Sequence, residues 1–178
     1  MNIRETGIEG LYVLEVRAFG DDRGYFMETY NERLFEERGL KTRWVQDNFS
    51  HSQKGVLRGL HFQNTPKAQA KLVRCTRGSV FDVAVDIRPG SKTFGKWYGL
   101  ELSAQNKLAL YVPEGFAHGF CVTSDEASFQ YKVSDFYSPQ DEGGIIWNDP
   151  ALNINWPLKD PQLSAKDKLY KTLAETIR

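Results

Sequence analysis

The feature of this sequence that most limits its possible folds is a succession of short β-branched and aromatic runs between about positions 43 and 136. Gly, Pro, Asn and Asp separate these runs, each of which has the length of a strand and is too short for an independent helix. Runs of this length and spacing are typical of a β-sandwich or a β-barrel. The clearest predicted strands are residues 71–76, 80–86, 96–102, 108–112, 119–123 and 127–133.

Two short helices are predicted to flank these strands. Residues 31–38 have a helical composition and stop at Gly39, a residue that commonly ends helices. Ser164 is a candidate N-cap for a C-terminal helix that runs to Ile177. A chain of 178 residues without an internal repeat or a low-complexity linker has the size of one domain, so a single domain over residues 1–178 is predicted.

The charges of the chain balance, with 23 Lys plus Arg against 23 Asp plus Glu. No overall field draws such a protein to nucleic acid or to an anionic membrane, so neither is predicted as a partner. The first residues lack the apolar segment of a signal peptide, and no stretch approaches the ~18 apolar residues of a membrane span, which predicts a cytoplasmic location. Cys75 and Cys121 lie in apolar runs and are expected to be reduced and structural.

Polar residues interrupt one of the predicted strands. In residues 80–86, Asp82 and Asp86 alternate partly with valines, so one strand face is apolar and the other is polar. Inside a small barrel the polar face lines a ligand cavity, whereas on a sandwich it faces water. Strand alternation alone does not decide between the two orientations.

The chain has three histidines, in quite different settings. His51 lies in a polar segment that leads to a predicted turn, where a surface role or a local hydrogen bond is expected. His61 follows an Arg-Gly pair in a short strand-like run, and His118 follows a turn that feeds another strand. His61 and His118 therefore have the settings of side chains that point into one barrel.

A metal-binding barrel is the first hypothesis that these histidines raise. Residues 113–118 (PEGFAH) resemble the second motif of the cupins, which are barrels that often hold a metal with several imidazoles and a carboxylate. The first cupin motif would need a His-x-His pair followed by Glu, but Gln63 stands at the second position and residues 64–70 contain no acid. A metal-free use of His61 is therefore favoured. The sequence also lacks a Gly-x-Gly-x-x-Gly dinucleotide fingerprint, and no cofactor is predicted.

An imidazole is well suited to remove a proton near neutral pH, because its ordinary pKa is ~6.5, provided that a carboxylate orients it. For His61 the sequence offers Asp167 as the carboxylate and Tyr131 as a proton donor. The residue types alone fit structural roles equally well, since Tyr131 could be a core residue and Asp167 could begin a helix. The cations available near His61 in the predicted barrel are Arg58, Lys71 and Arg74.

Together these segments resemble the dTDP-4-dehydrorhamnose 3,5-epimerases, a metal-independent family. The resemblance implies a mainly β fold, a cupin-like (jelly-roll) antiparallel β-barrel with short flanking helices. It covers about residues 1–168 and rests on blocks 22–28 (DRGYFME), 46–50 (QDNFS), 57–63 (LRGLHFQ), 69–74 (QAKLVR), 81–86 (FDVAVD), 113–120 (PEGFAHGF), 147–150 (WNDP) and 163–167 (LSAKD).

The resemblance implies a role for each catalytic candidate. His61 is the base, Asp167 assists it, and Tyr131 is the acid on the opposite face of the sugar. Lys71, joined by His118, stabilises the enolate oxygen. These roles suit proton removal beside a ketone, because such a proton leaves only when donors hold the developing oxyanion.

The implied substrate is a dTDP-linked 4-keto-6-deoxy sugar, and the implied assembly is a homodimer. An arginine fork suits the diphosphate and aromatic rings suit the thymine. Residues 141–144 are expected to form a mobile loop, and Tyr137 stands where a tryptophan occurs in the family. The implied substrate contacts are Phe19, Arg23, Phe26, Glu28, Gln46, Asn48, Arg58, His118, Tyr137, Glu142 and Lys166.

Three alternatives stay open at this point. A related enzyme could invert C3 alone or move the ketone between C3 and C4, because the same base serves each reaction. A non-catalytic sugar-nucleotide binding module would use the same arginines and aromatic rings without moving a proton. A metal-dependent cupin would contain bound iron, manganese or zinc.

Overall fold

The computed structural model describes residues 1–177 and is built mainly of β-strands. The strands are β1 (Asn2–Glu5), β2 (Tyr12–Glu15), β3 (Ala18–Asp21), β4 (Gly24–Met27), β5 (Gln46–Gln53), β6 (Leu57–Gln63), β7 (Lys71–Arg77), β8 (Ser79–Asp86), β9 (Trp97–Ser103), β10 (Leu108–Val112), β11 (Phe116–Val122), β12 (Glu126–Val133) and β13 (Glu142–Gly144). The helical elements are α1 (Glu32–Glu36), a 3-10 turn (Asp167–Leu169) and α2 (Leu173–Thr176). The predicted mainly β class is confirmed.

Two antiparallel sheets form the body of the fold. One contains six strands in the order β1-β2-β10-β7-β12-β5, and the other contains five in the order β13-β6-β11-β8-β9. Val73 and Phe129 of the first sheet pack in one core cluster with Ala84 and Phe120 of the second, so the main core lies between the sheets. This arrangement confirms the predicted jelly-roll barrel.

The outer face of the six-stranded sheet carries a second apolar layer. Strand alternation turns Leu72 away from the core that holds Val73, and Leu72 packs instead with Phe35 of α1 and with Leu14. The hairpin of β3 and β4 forms a separate two-stranded sheet. Met27 of this hairpin accepts a long hydrogen bond from Arg74 Nη2, at 3.8 Å. Val73 faces the core, so its neighbour Arg74 faces outward. The hairpin that contacts Arg74 therefore lies on the outer side of this sheet.

The six clearest predicted strands are present, with ends that shift by up to three residues. The predicted helix 31–38 shortens to α1, whose N-cap Asn31 accepts from the Leu34 amide. Strands β1 to β4 were not predicted because each has only four residues. Strands β1, β3 and β4 are also largely exposed, so they lack the apolar alternation that marks a half-buried strand, and β2 buries Val13 and Leu14 but is too short to show that alternation.

The prediction of one helix from Ser164 to Ile177 is wrong. Ser164 caps only the 3-10 turn, where its hydroxyl accepts from the Asp167 amide at 3.1 Å. The backbone then becomes extended at Tyr170. The Lys171 carbonyl accepts from the Ile146 amide at 2.9 Å, an interaction that a continuous helix would lose.

The prediction of a mobile loop at residues 141–144 is also wrong. Residues 142–144 form β13, which pairs with β6 and so becomes the edge of the five-stranded sheet. Both cysteines are free and buried. Within residues 1–177, no helix is long and apolar enough to cross a bilayer.

Candidate active site

His61 and Asp167 form a close pair. His61 Nε2 lies 2.7 Å from Asp167 Oδ1, and only 2% of Asp167 is exposed. Burial alone would raise the pKa of Asp167, but the hydrogen bond and the charge of His61 lower it below its ordinary value. An ionised carboxylate only accepts hydrogen bonds, so Nε2 must carry the hydrogen. Nδ1 is then the basic nitrogen of the ring.

Gly59 allows β6 to come close to β11 beside the carboxylate. The Gly59 amide donates to Asp167 Oδ2 at 3.5 Å, and the residue has a positive φ of 131°. A Cβ at this position would lie 2.6 Å from the Gly119 Cα on β11. The run Arg58-Gly59 before His61 therefore provides a close strand contact that a larger residue would prevent.

A second imidazole–carboxylate pair lies beside the first. His118 on β11 is directly opposite His61 on β6 in the strand register. Its Nε2 lies 3.0 Å from both carboxylate oxygens of Asp82, and both residues are buried. Asp82 therefore points inward. Of the two orientations that the sequence left open, facing a cavity or facing water, Asp82 has the inward one.

Asp86 also points inward, but it has a structural role. Its carboxylate accepts from Arg88, Ser91 and Thr93 and so holds the turn after β8. The alternation in residues 80–86 indicated a polar face without showing which aspartate would meet a histidine. Asp82 is accordingly a site residue that sequence reasoning left out.

Lys71 places a buried ammonium near His61. The side chain of Lys71 is at the start of β7, only 8% of the residue is exposed, and Nζ donates to the His61 carbonyl oxygen at 3.3 Å. Desolvation lowers the pKa of Lys71 to about 8, against the opposing influence of Asp82 and Glu142. At neutral pH it is a cation with little water around it, which suits it to stabilise a nearby oxyanion.

Tyr131 lines the same cavity from β12. Burial raises the pKa of its hydroxyl, while the positive charge of Arg58 acts in the opposite direction. The phenol is therefore protonated at neutral pH and is able to donate a proton. Arg58 itself is exposed, and its Nε donates to Ser52 Oγ at 3.0 Å.

The cavity has a volume of about 290 Å³ and opens between the two sheets. Two glutamines, Gln63 and Gln69, and Phe62 were not predicted as contacts and contribute to its wall, where only the assembled fold places them. Its lining residues are Gln46, Asn48, His61, Phe62, Gln63, Gln69, Lys71, Tyr131, Tyr137 and Glu142.

At the mouth of the cavity, Glu142 joins two other predicted contact residues. It accepts from the Tyr137 hydroxyl at 2.7 Å and forms an ion pair with Lys166. Burial tends to raise the pKa of Glu142, but the hydrogen bonds from Lys166 and Tyr137 lower it below its ordinary value. Gln46 accepts from the Tyr137 amide at 3.1 Å, so this aromatic side chain is held at the rim.

The predicted contacts Arg58 and His118 do not line this cavity, and four others lie on a separate part of the surface. Phe19, Arg23 and Phe26 line a separate surface depression on the hairpin of β3 and β4. Arg23 forms an exposed ion pair with Asp21, and Glu28, just after β4, accepts from Asn31. Because the hairpin lies outside the six-stranded sheet, the sheet separates these residues from the cavity of their own chain.

His51 takes no part in the site, in agreement with the surface role expected from its sequence. The predicted turn is present as well, since His51 lies within β5 and this strand leads to a turn at residues 54–55. Its two ring nitrogens are each 3.2 Å from an oxygen of Glu126 and of Ser128. Within residues 1–177, no three His, Cys, Asp or Glu side chains come together in a way that could hold a metal ion.

Comparison with known proteins gives consistent matches along the chain. Residues 5–175 match the family model described as dTDP-4-dehydrorhamnose 3,5-epimerase. A protein of that name from Shigella flexneri is 59% identical over 168 residues, which cover 94% of this chain and 93% of the relative.

Two solved structures are similar to the whole fold. The structure of dTDP-4-dehydrorhamnose 3,5-epimerase from Elizabethkingia anophelis NUHP1 has a TM-score of 0.96 and 50% identity, and the match covers 100% of this chain and 99% of the other. That of a dTDP-6-deoxy-D-glucose-3,5-epimerase from Legionella pneumophila Philadelphia 1, in complex with dTDP-4-keto-L-rhamnose, has a TM-score of 0.94 and 51% identity, covering 97% and 93%.

Proposed function

The chain belongs to the dTDP-4-dehydrorhamnose 3,5-epimerase family, and we propose that its cavity uses His61, Lys71, Tyr131 and Asp167 for that reaction. The reaction converts dTDP-4-dehydro-6-deoxy-D-glucose into dTDP-4-dehydro-L-rhamnose by inverting C3 and C5. The enzyme is thus an isomerase of dTDP-sugars. The observation that carries the proposed roles is the 2.7 Å contact between His61 and Asp167 at a cavity that Lys71 also lines.

Proton removal is assigned to His61. C3 and C5 both neighbour the C4 ketone, so loss of either proton gives an enolate whose charge collects on the C4 oxygen. Nδ1 of His61 accepts the proton, and Asp167 stabilises the imidazolium that forms. Lys71, together with His118, stabilises the oxyanion in a partly dehydrated site, where such donors act most strongly.

Proton return is assigned to Tyr131. Inversion requires the new proton to arrive on the face of the enolate opposite the one that lost it. Tyr131 is protonated at neutral pH and lies on the other sheet from His61, so it fits the role of the opposing acid. Repeating the two steps at the second carbon completes the double epimerisation.

Solvent deuterium separates this function from its alternatives. Turnover in D₂O should place deuterium at both C3 and C5 of the product, since both protons pass through exchangeable groups. Deuterium at C3 alone would instead identify a C3 epimerase, and an absence of exchange would indicate a binding module. Elemental analysis of active protein tests the metal-dependent alternative. That alternative requires a stoichiometric metal, so finding one would support it.

We also propose a homodimer in which the hairpin of one chain completes the site of the other. The hairpin pairs with no further strand in residues 1–177, and two of its aromatic rings are largely exposed, Phe19 at 54% and Phe26 at 69%. Strand β5, which carries Gln46 and Asn48, has one unpaired edge in the same described region. A partner hairpin beside this edge would add Arg23 to the nucleotide side of the cavity.

Mixed dimers test this arrangement. A chain with His61→Ala and a chain with Arg23→Ala are each impaired when alone. If sites are shared, their heterodimer contains one intact site and regains about half of the wild-type activity per dimer. Activity no higher than that of the Arg23→Ala dimer would show that Arg23 acts only within its own chain. The cytoplasmic location stays a prediction from the sequence.

A further inference from the structure

One aromatic residue beside the catalytic pair has no part in the proposed chemistry. The ring of Tyr170 meets the ring of His61 edge to face, with centroids 5.7 Å apart and an angle of 70° between the planes. Such aromatic pairs are favourable at this separation and angle. Tyr170 follows the 3-10 turn that carries Asp167, so one short segment brings both the carboxylate and the ring to His61.

The Tyr170 ring occupies a space that the strands leave open for it. Gly144 on β13 is directly opposite His61 on β6 in the register. A Cβ at Gly144 would overlap the carbon atoms of the Tyr170 ring. The ring therefore lies where a side chain of Gly144 would stand, directly beside the imidazole.

The backbone on both sides of Tyr170 is fixed. On one side, the Leu169 amide donates to the Lys166 carbonyl at 3.0 Å within the turn. On the other side, Lys171 forms a bridge with Ile145, next to β13. With its backbone held at both ends and its ring against Gly144, Tyr170 has little freedom to move away from His61.

The hydroxyl of Tyr170 is buried and interacts only weakly with its surroundings. In the part of the chain that the structure describes it makes no hydrogen bond of normal geometry, although Lys166 lies close enough to act as a weak donor to it. Burial raises the pKa of Tyr170 to about 12, although the charge of Lys166 acts in the opposite direction, so the phenol is neutral at physiological pH. The part of Tyr170 that meets His61 is therefore the ring.

We propose that Tyr170 is a positioning residue whose ring holds the His61 imidazole in the plane that joins Nε2 to Asp167 and leaves Nδ1 for the sugar. This inference rests on the proposed function of His61. Asp167 fixes one atom of the imidazole by a hydrogen bond, but the ring can still rotate about that contact. The Tyr170 ring beside the imidazole restricts this rotation. The restriction matters because a small misplacement of a reacting group is able to lower a rate about 100-fold.

The test compares three variants with the wild-type enzyme. Tyr170→Ala removes the ring, Tyr170→Phe keeps the ring without the hydroxyl, and Tyr12→Ala is the matched control. Tyr12 is also a half-buried tyrosine, but it packs on the outer face of the six-stranded sheet, away from the cavity. Tyr170→Leu replaces the alanine variant if the latter does not fold.

We expect Tyr170→Ala to lower kcat by roughly 10- to 100-fold with a KM within about threefold of wild type. Tyr170→Phe should restore kcat to within about threefold, and the control should lose stability without losing kcat. Full kcat in Tyr170→Ala, or a failure of Tyr170→Phe to restore it, would overturn the proposal.

A spectroscopic measurement separates this proposal from the proposed function. With three histidines in the chain, the imidazole signals of ¹⁵N-labelled protein are few enough to assign. The Nε2 hydrogen that His61 shares with Asp167 should give a protected signal in the wild type and in Tyr170→Phe, and a broadened or absent signal in Tyr170→Ala. An unchanged signal in Tyr170→Ala would reject the positioning role whether or not the enzyme is an epimerase. A wild-type enzyme that fails to exchange deuterium would reject the proposed function alone.

Discussion

Replacing Lys71 by methionine is expected to stabilise the protein at neutral pH while it abolishes the activity. Burial lowers the pKa of Lys71 from 10.5 to about 8, so the folded protein holds an ammonium that would be more stable in water. One pKa unit corresponds to about 1.4 kcal/mol, so the cost of this buried charge is about 3 kcal/mol. The substitution also removes the hydrogen bond from Lys71 to the His61 carbonyl, which contributes about 1 kcal/mol. The expected net gain in the free energy of unfolding is about 2 kcal/mol.

The stability difference between the wild type and Lys71→Met should depend on pH. Below pH 8 the amine is protonated in both the folded and the unfolded chain, and the full cost is present. Between pH 8 and about 10.5 the unfolded chain binds a proton that the folded chain does not, so the stability of the wild type rises with pH. The advantage of Lys71→Met should therefore be greatest below pH 8 and should disappear above pH 10.5.

Urea unfolding of both proteins at several pH values, at one fixed protein concentration, measures this difference. Lys54→Met is the matched control, because the Lys54 side chain is 61% exposed and forms a surface ion pair with Asp125. It should change the stability by less than about 0.5 kcal/mol. A destabilised Lys71→Met protein, or a difference that stays constant from pH 6 to pH 10, would refute the reasoning from burial.

Three further predictions concern the activity. Asp167→Asn should lower kcat by roughly 100-fold or more, because the amide cannot stabilise an imidazolium. Steady-state kinetics would measure this loss, and a dTDP binding assay should show unchanged affinity. Tyr131→Phe should remove the proton donor of the second step, so that substrate protons still exchange in D₂O while inverted product is lost; normal yields of inverted product would exclude Tyr131 as the acid. The kcat of the wild type should fall as the pH rises above about 8, where Lys71 loses its charge, and a pH profile that is flat to pH 10 would contradict the role of this ammonium at the C4 oxygen.

The strand pattern predicted a sandwich or a barrel, because its runs are short and end at clear turns, and the family resemblance supplied the choice of a jelly-roll barrel. The strand pattern did not predict β1 to β4, which have only four residues each and form strands by pairing with one another or with β10. The C-terminal helix was predicted from composition, but the chain at Tyr170 and Lys171 is extended and pairs with the segment after β13. Strand pairing decided both outcomes, with neighbouring partners for β1, β3 and β4 and with distant partners for β2 and for the C-terminal segment. Local residue preferences do not contain this pairing.

The same limit applies to the site. Family resemblance supplied the set His61, Lys71, Tyr131 and Asp167, and the structure brings these residues to one cavity or its wall. Residue types alone left each of them open to a structural role. Strand register brings Asp82 to His118, and the path of the C-terminal segment brings Tyr170 to His61, so no local pattern marks either residue.

The division of the site between two sheets has a direct chemical consequence. His61 and His118 come from neighbouring strands of the five-stranded sheet, whereas Lys71 and Tyr131 come from neighbouring strands of the six-stranded sheet. In the proposed mechanism, a sugar ring that enters between the sheets would present one face to His61 and the other to Tyr131. Because the antiparallel partners β7 and β12 also place Lys71 and Tyr131 on the same inner face, the proposed oxyanion donor and the proposed acid would move together if that sheet shifted. The barrel thus holds the proposed base and the proposed acid on opposite sheets, and inversion would require such an arrangement.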